Sequence, residues 1–325
     1  AFGYLGAGTD FAGAFVGHIS GLTVPIMWHA LFMAINVIII GAGVVNGIQY
    51  ASKILMPLLA VLLLLLVARS VTLPGASAGI TYLLKPDFSL LTPRTVLDAV
   101  SQAFFSLSLG MGAMLTYGSY LSPKDDIGEN AAYVVGIDTA VAIIAGFAIF
   151  PAVFALGFEP GAGAGLAFIT LPAVFAEMPL GNFFGAVFFL LLTIAALTSS
   201  ISLLEVVVSW FVDELGWTRP RATTLIGIVC FFVGLPTILG FSSFLGMDIF
   251  DSYDWFANSI LLPLGALLTS IFAGYIWGAE NVAAEANKSV GAIPIGGWWV
   301  FLIRTVVPVA IAVVMISGLW ATFAG

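Results

Sequence analysis

Apolar residues follow one another in long runs that recur along the chain, as in 54–73 and 182–213. Each run has about the length that an α-helix needs to cross roughly 30 Å of hydrocarbon at 1.5 Å per residue. The pattern therefore predicts an all-α membrane protein with about eight membrane-spanning helices. The predicted spans are 24–44, 54–73, 95–121, 131–157, 182–213, 219–239, 250–278 and 297–320.

Composition agrees with a lipid environment. Hydrophobic residues make up 61% of the 325 positions and charged residues only 8%, and the mean hydropathy is +1.14. A soluble domain carries roughly 25% charged residues, so this chain has too few to cover a surface in water. The net charge of −8 and the lack of a basic cluster argue against a nucleic-acid partner. We expect a multi-pass protein of the cell's inner (plasma) membrane.

The N-terminal residues and the loops give weaker indications of topology. Residues 1–23 show neither an initiator methionine nor a signal-peptide pattern, and we expect them to be the tail of a preceding helix and an outer loop. Basic residues in the turns at 44–53, 122–130, 214–221 and 279–296 predict that these turns are cytoplasmic. Arg69, Lys85 and Arg94 break the pattern, because they fall in a connection predicted to lie outside.

The loop at 158–181 is rich in Gly and Pro, but its second half is apolar. An apolar loop does not suit water. This composition therefore favours a re-entrant or lid segment that packs on protein, and an ordinary hairpin loop is the alternative.

The third span contains glycines and hydroxyls at mid-membrane depth. Gly110 and Gly112 each cost roughly 1 kcal/mol in a helix interior, and Ser106 and Ser108 stand just before them. An interrupted helix would expose carbonyls and amides that can hold a cation and a carboxylate. The alternative is a close helix-packing face of small residues. We predict that this span is not a continuous helix.

The fifth span places Ala195, Thr198 and Ser199 at i, i+3 and i+4, and therefore on one helix face. Neutral oxygens suit a weakly held monovalent cation, whereas a divalent ion would want several carboxylates. The alternative is that the hydroxyls bond back to carbonyls of their own helix.

Two acids, Asp138 and Glu205, fall inside predicted spans. A carboxylate in hydrocarbon is expensive, so each implies a cavity or a partner unless it reaches water at the end of a short span. Asp254 starts the seventh span and is a candidate for an external vestibule. Asp213 ends the fifth, where a solvated charge is the default.

Several ordered segments together resemble the neurotransmitter:sodium symporter family in its bacterial amino-acid branch. The resemblance implies a leucine-transporter-type inverted-repeat fold that lacks the first three helices. In that fold 24–73 would be the last two helices of a truncated first repeat, 95–278 the complete second five-helix repeat, and 297–320 an additional C-terminal helix. The segments are SKILMPLL (52–59), FFSLSLGMGAMLTYGSYL (104–121), GLAFITLPAVF (165–175), LTSSISLLEV (197–206) and DSYDWFANSILLPLG (251–265).

The resemblance also implies ligands for two sodium ions. Ser106 and Asp138 would bind the first, and Asp138 stands where the family commonly has Asn. The carbonyl of Ala195, together with Thr198 and Ser199, would bind the second. The resemblance further implies a set of substrate-facing side chains: Phe105, Ser106, Ser108, Met111, Ser199 and Leu203.

The remaining implied residues concern gating and chloride. Asp254 would belong to the outer gate, Asp213 to the inner gate, and Tyr120 would lie near the inner gate. Ala142 stands where chloride-independent relatives often carry Glu and chloride-dependent ones Ser. The chain departs from both patterns at this position.

The expected function is sodium-coupled symport of small neutral amino acids by alternating access, without chloride and without enzymatic activity. A non-transporting remnant that packs as a membrane scaffold is the main alternative. An intramembrane hydrolase is disfavoured, because His18 and His29 lie outside or in the first span and Asp138 lacks a partner Asp. The oligomeric state is left open, a homo-oligomer included.

Overall fold

The computed structural model describes residues 9–122, 124–161, 163–242, 249–289 and 294–323. Within these ranges all regular secondary structure is helical. The predicted all-α class is therefore confirmed.

Seven of the described helices are long and apolar enough to cross a membrane. Each of the seven covers one predicted span, and α3 starts well before the span predicted at 54–73. The helices are α2 (Thr23–Gly41), α3 (Val44–Val71), α7 (Ile127–Ala155), α9 (Gly181–Asp213), α10 (Arg219–Phe241), α11 (Ile249–Ile276) and α13 (Gly297–Trp320).

The remaining helices are shorter. The eighth predicted span, 95–121, is divided into α5 and α6, which the next section describes. The short helices are α1 (Phe11–Ile19), α4 (Ala76–Leu84), α5 (Pro93–Ser106), α6 (Ala113–Ser119), α8 (Gly163–Glu177) and α12 (Ala279–Ala286).

The predicted turn at 44–53 is wrong. Only Ala42 and Gly43 separate α2 from α3; Gly43 has a φ of 100°, and α3 starts with a π-helical turn over Val44–Gln49. Lys53 therefore lies inside a helix rather than in a cytoplasmic turn. The turn prediction failed because Asn46 and Gly47, residue types that are common in turns, belong here to the first turn of a helix.

The chain divides into two compact units. The first comprises Ala1–Pro86 and Val141–Ile249. Its core lies between α3, α8 and α9, where Leu66, Val174 and Phe188 are buried together. The second unit comprises Asp87–Ala140 and Phe250–Gly325.

The apolar half of the 158–181 loop forms α8 and packs in the core of the first unit. Leu171, Val174 and Phe175 are buried there. Gly181, which starts α9, lies directly against the backbone carbonyl of Phe175, so a Cβ at this position has no room. This half of the segment is packed on protein, as the lid or re-entrant interpretation predicted.

Polar side chains also join helices within the first unit. Asn36 of α2 is 1% exposed, and its Oδ1 accepts a hydrogen bond of 2.8 Å from the Ser200 hydroxyl of α9. The Asn36 amide donates to the Phe32 carbonyl. Because both polar ends of the buried amide are satisfied, it fixes the register of α2 against α9.

Candidate cation sites and the broken helix

The third predicted span is interrupted for six residues. α5 ends at Ser106, residues 107–112 are not helical, and α6 begins at Ala113. Three residues of the interruption have positive φ: Ser108 at 54°, Gly110 at 80° and Gly112 at 82°. The prediction of a discontinuous helix is confirmed.

The first left-handed residue of the interruption is Ser108 rather than a glycine. The amide of Ser108 donates to the Phe105 carbonyl at 3.0 Å, and the amide of Leu109 donates to the Phe104 carbonyl at 2.8 Å. This pair of bonds is the Schellman ending of a helix, whose left-handed residue is usually glycine. With a Cβ at Ser108, the left-handed conformation costs about 1–2 kcal/mol. Sequence reasoning noticed the glycines and missed the serine, which carries no helix-ending signal.

The glycines serve close packing inside the second unit. A Cβ at Gly110 would lie 2.9 Å from the amide nitrogen of Ala266 in α11 and closer still to the carbonyl oxygen of Leu262. A Cβ at Gly265 would in turn meet the carbonyl oxygen of Gly110. The two backbones therefore touch, and side chains at either glycine would separate them.

Asp138 of α7 meets Ser106 at the end of α5. The Ser106 hydroxyl lies 2.8 Å from one carboxylate oxygen of Asp138 and 2.7 Å from the other. Asp138 is half-buried and Ser106 is exposed. In the described part of the chain no Lys, Arg or His forms an ion pair with Asp138, so the Ser106 hydroxyl is its partner among the described side chains.

The second predicted cation site lies on α9, in the first unit. The Thr198 hydroxyl donates to the Ala195 carbonyl at 2.9 Å, which is the back-bonded arrangement considered as the alternative. Ser199 is exposed and, among the described residues, makes no side-chain hydrogen bond. The Thr198 oxygen keeps its lone pairs when the hydroxyl donates, so the back-bond and a cation ligand are compatible.

The other predicted site residues fall in several places. Phe105 and Leu203 are about half exposed, at 52% and 47%. Met111 is half-buried in the interruption. Ser106, Ser108 and Met111 thus lie close in sequence around the break, whereas Ser199 and Leu203 belong to α9 of the other unit. That these two groups share one cavity stays a prediction.

The predicted gate residues lie at helix ends. Asp254 is in the first turns of α11 and accepts a hydrogen bond of 2.9 Å from the Asn258 amide. Asp213 is the last residue of α9, and Tyr120 caps α6. Their gating roles stay predictions.

Glu205 proves to have an arginine partner. Its carboxylate is 0% exposed and receives two hydrogen bonds from Arg219, of 2.7 and 2.9 Å. Arg219 begins α10, and it also donates to the Ile40 carbonyl of α2 at 3.4 Å. Glu205 thus has a charged partner, as expected for an acid inside a span, and does not reach water. Through Arg219 this ion pair joins α2, α9 and α10.

Sequence reasoning missed a further charged residue, Arg304 inside α13. Its guanidinium pairs in a two-pronged manner with Glu280 of α12, and its Nε donates to the Gly274 carbonyl at 3.0 Å. A lone Arg within an apolar run was the available signal, since such a charge requires a partner.

In the described residues no group of three or more His, Cys, Asp or Glu side chains could hold a transition metal. The oxygens collected at Asp138 and Ser106 suit a hard cation instead. An interrupted membrane helix next to such oxygens is the architecture of secondary transporters. Fold and site therefore define the chain as a polytopic helical protein of the transporter class.

The model of the sodium:neurotransmitter symporter family matches residues 16–323, and the chain belongs to that family. The family consists of transporters rather than enzymes. An uncharacterized sodium-dependent transporter of Haemophilus influenzae is 39% identical over 313 residues, which cover 93% of this chain and 67% of that protein. The uncharacterized sodium-dependent transporter YhdH of Bacillus subtilis is 39% identical over 293 residues, which cover 88% of this chain and 65% of that protein.

A solved structure agrees in fold. The crystal structure of MhsT in complex with L-phenylalanine aligns with a TM-score of 0.82 and 44% identity. The alignment covers 95% of this chain and 71% of that one. The chain thus spans about two thirds of the length of the proteins it matches.

Proposed function

We propose that this chain carries out sodium-coupled symport of a small neutral amino acid across the cell's inner membrane, by alternating access and without chloride. The observation that carries the proposal is the Asp138 carboxylate, held by the Ser106 hydroxyl at the break in a membrane helix. The sodium-dependent relatives and the amino acid bound to MhsT support the same assignment.

The first sodium ion would bind at Asp138 and Ser106. A carboxylate and a hydroxyl supply the oxygen ligands that a hard cation prefers. The Ser106 hydroxyl donates a hydrogen bond to the carboxylate, so the lone pairs of the Ser106 oxygen remain available for the ion. The second sodium ion would bind the Ala195 carbonyl with Thr198 and Ser199 on α9.

Charge balance is the argument against chloride. Sodium beside a zwitterionic substrate leaves a site positive, and an unbalanced charge in a low-dielectric site costs several kcal/mol. Ala142 offers no compensating group, whereas Asp138 lies four residues earlier on the same helix face. The other acid inside a span, Glu205, is neutralised by Arg219. Asp138 is therefore the acid that can balance the ion.

The substrate would contact the six residues that the family resemblance implies, and Met111 would shape selectivity. Met is unbranched and polarizable, so it can repack around side chains of different shape. We expect broad acceptance of aliphatic and aromatic neutral amino acids. Competition assays in which Met111→Phe gives the wild-type inhibition profile would count against this role.

The central test is uptake of labelled amino acid into proteoliposomes under a sodium gradient, with gluconate replacing chloride. We expect wild type to keep its uptake without chloride and Asp138→Asn to lose it. Asp125→Asn is the matched control, because it removes the same charge from an exposed loop. Chloride-dependent wild-type uptake would contradict the chloride argument. Full chloride-free activity of Asp138→Asn would show that Asp138 is merely structural.

A non-transporting scaffold is the second candidate, and the same reconstituted protein decides it. A scaffold would show no flux with or without a sodium gradient. It would also show no protection by sodium against thermal unfolding, whereas a cation site stabilises the folded state by an amount that grows with the logarithm of the ion concentration above its Kd. Sodium protection without flux would separate a working ion site from a complete transport cycle.

A further inference from the structure

The second unit contains a cavity of about 310 Å³ behind the broken helix. Phe104 and Leu115 contribute to the wall formed by α5 and α6, and Ala273 contributes to the wall formed by α11. Val307 and Ile311 of α13 close the third side. The cavity lies within one unit and is formed by elements that pack on one another there.

This cavity differs from the proposed substrate site. Of the six residues that the resemblance places around the substrate, only Ser108 lines it. Neither Asp138 nor Ser106 is part of its wall. It therefore lies on the side of the break that faces α11 and α13, away from the carboxylate.

The wall is apolar and offers one hydroxyl. None of the described residues that line it is charged. The Thr269 hydroxyl donates to the Gly265 carbonyl at 2.8 Å, and the Ser270 hydroxyl donates to the Ile303 carbonyl at 3.3 Å. The Ser108 hydroxyl makes no hydrogen bond to any described residue. Ser108 is thus the polar group left to meet an occupant.

Size and chemistry together indicate the kind of ligand. An apolar cavity of about 150 Å³ stays dry and binds a molecule as small as benzene. The cavity here is roughly twice that volume and falls at the lower end of natural ligand pockets, which start near 300 Å³. A compact aliphatic chain fills such a space, and a single terminal hydroxyl matches Ser108.

We propose that this cavity is a regulatory site for an aliphatic alcohol that enters from the membrane. Gly110 and Gly112 line it, and these are left-handed residues of the interruption. An occupant fixes the interruption against α11 and so slows any transport step in which it moves. The regulatory part rests on the proposed function, whereas binding does not.

A direct binding experiment tests the site without transport. Purified protein is photolabelled with an octanol that carries a diazirine, and the labelled residues are found by mass spectrometry. We expect labels on α5, α6, α11 and α13 around the cavity, reduced about tenfold in Ala273→Leu, which fills it. Ala312→Leu lies on α13 outside the wall and serves as the matched control. Equal labelling of wild type and Ala273→Leu would overturn the site.

The regulatory role is tested with 1-alkanols of increasing length in the uptake assay, at matched concentrations in the membrane. A cavity of fixed volume predicts that inhibition grows with chain length and then stops. Ala273→Leu should move this cut-off to shorter alcohols, and Val307→Ala, which enlarges the space, to longer ones. A cut-off that is the same in all variants would assign the inhibition to the lipid and overturn the regulatory role. Labelling without inhibition would overturn that role as well.

Discussion

Asp138 and Glu205, both inside membrane spans, have opposite surroundings. Glu205 is fully buried, and a two-pronged bond to Arg219 neutralises it. Asp138 is half-buried and has a single hydroxyl, that of Ser106, as its partner among the described side chains. α9 around Glu205 is continuous over Gly181–Asp213, whereas the helix beside Asp138 is broken.

The difference leads us to expect a structural role for Glu205 and a role in ion binding for Asp138. A carboxylate paired with arginine adds no net charge, and its geometry holds three helices together. A carboxylate that meets only a hydroxyl has no opposite charge beside it, at a place where charge is expensive. Such a group is stable there when a cation joins it. We therefore expect damage at Glu205 to appear in stability and damage at Asp138 to appear in ion dependence.

The largest expected effect is that of Arg219→Ala. Removing one partner of a buried pair leaves the other charge uncompensated, which costs about 3–5 kcal/mol. We expect a large fall in melting temperature in detergent, without a change in its dependence on sodium. The measurement is thermal unfolding in sodium and in potassium chloride.

A matched double variant controls for the loss of packing. Glu205→Gln with Arg219→Gln removes both charges and leaves a polar side chain at each position, of equal size at 205 and shorter at 219, and we expect most of the stability to return. If Arg219→Ala unfolds at the wild-type temperature, the pair does not join the helices.

The next largest effect on stability is expected in the interruption between α5 and α6. Gly110→Ala places a Cβ in a left-handed residue, at about 1–2 kcal/mol, and drives it into the backbone of α11. We expect a loss of about 2 kcal/mol or more in unfolding free energy, measured by chemical denaturation. Gly118→Ala is the control, since a Cβ there meets no atom within 4 Å. Equal stability of the two variants would contradict the backbone contact.

A smaller change in free energy is expected for the substitution of Asp138. Replacing it by Asn removes a charged ligand and should weaken sodium protection against unfolding about tenfold in concentration, or roughly 1.4 kcal/mol. The melting temperature without sodium should not fall, because the variant no longer places a carboxylate without an opposite charge in the span. A sodium titration that is the same for Asp138→Asn and wild type would remove Asp138 from the ion site.

The smallest effect is expected at Asp126, a carboxylate of the loop before α7. The amide of Glu129 and the hydroxyl of Ser289 donate to Asp126 and hold its pKa below the usual value of 3.8. A lowered pKa adds stability that is present above pH 3.8 and is lost as the pH falls further. Melting curves from pH 5 to pH 3 should fall slightly more steeply for wild type than for Asp126→Asn. Parallel curves would contradict this link between the loop and Ser289.

Much of the fold could be predicted from the chain alone, because the membrane imposes a length on each apolar run. The span predicted at 182–213 lies within one residue of Gly181–Asp213. The break was predicted from Gly110 and Gly112, whose cost in a helix is a local property. The start of α3 was missed because the π-helical turn at Val44–Gln49 carries Asn46 and Gly47, residue types that are common in turns.

The site was predicted less completely, because pairing across helices does not show in local sequence. The spacing of Ala195, Thr198 and Ser199 placed them on one face, yet it could not tell that Thr198 bonds back to Ala195. Nor could it tell that Arg219, in a predicted turn, reaches the buried Glu205. The hydrogen bond between Ser106 and Asp138 joins positions 32 apart and depends on tertiary packing.

The π-helical turns of α11, over Ala257–Leu261 and Phe272–Ile276, make the length of this helix informative. A π-turn behaves as an α-helix that has gained one residue. Deleting one residue from Ala257–Leu261 would restore an α-helix, and the segments on either side would keep nearly the same angular relation, because the wider π-turn takes up the extra residue. Deleting one residue from the α-helical stretch Leu262–Ile271 would instead turn everything before it by about 100°. The π-turn is thus a place where α11 can change its number of residues without changing the side that Asp254 faces.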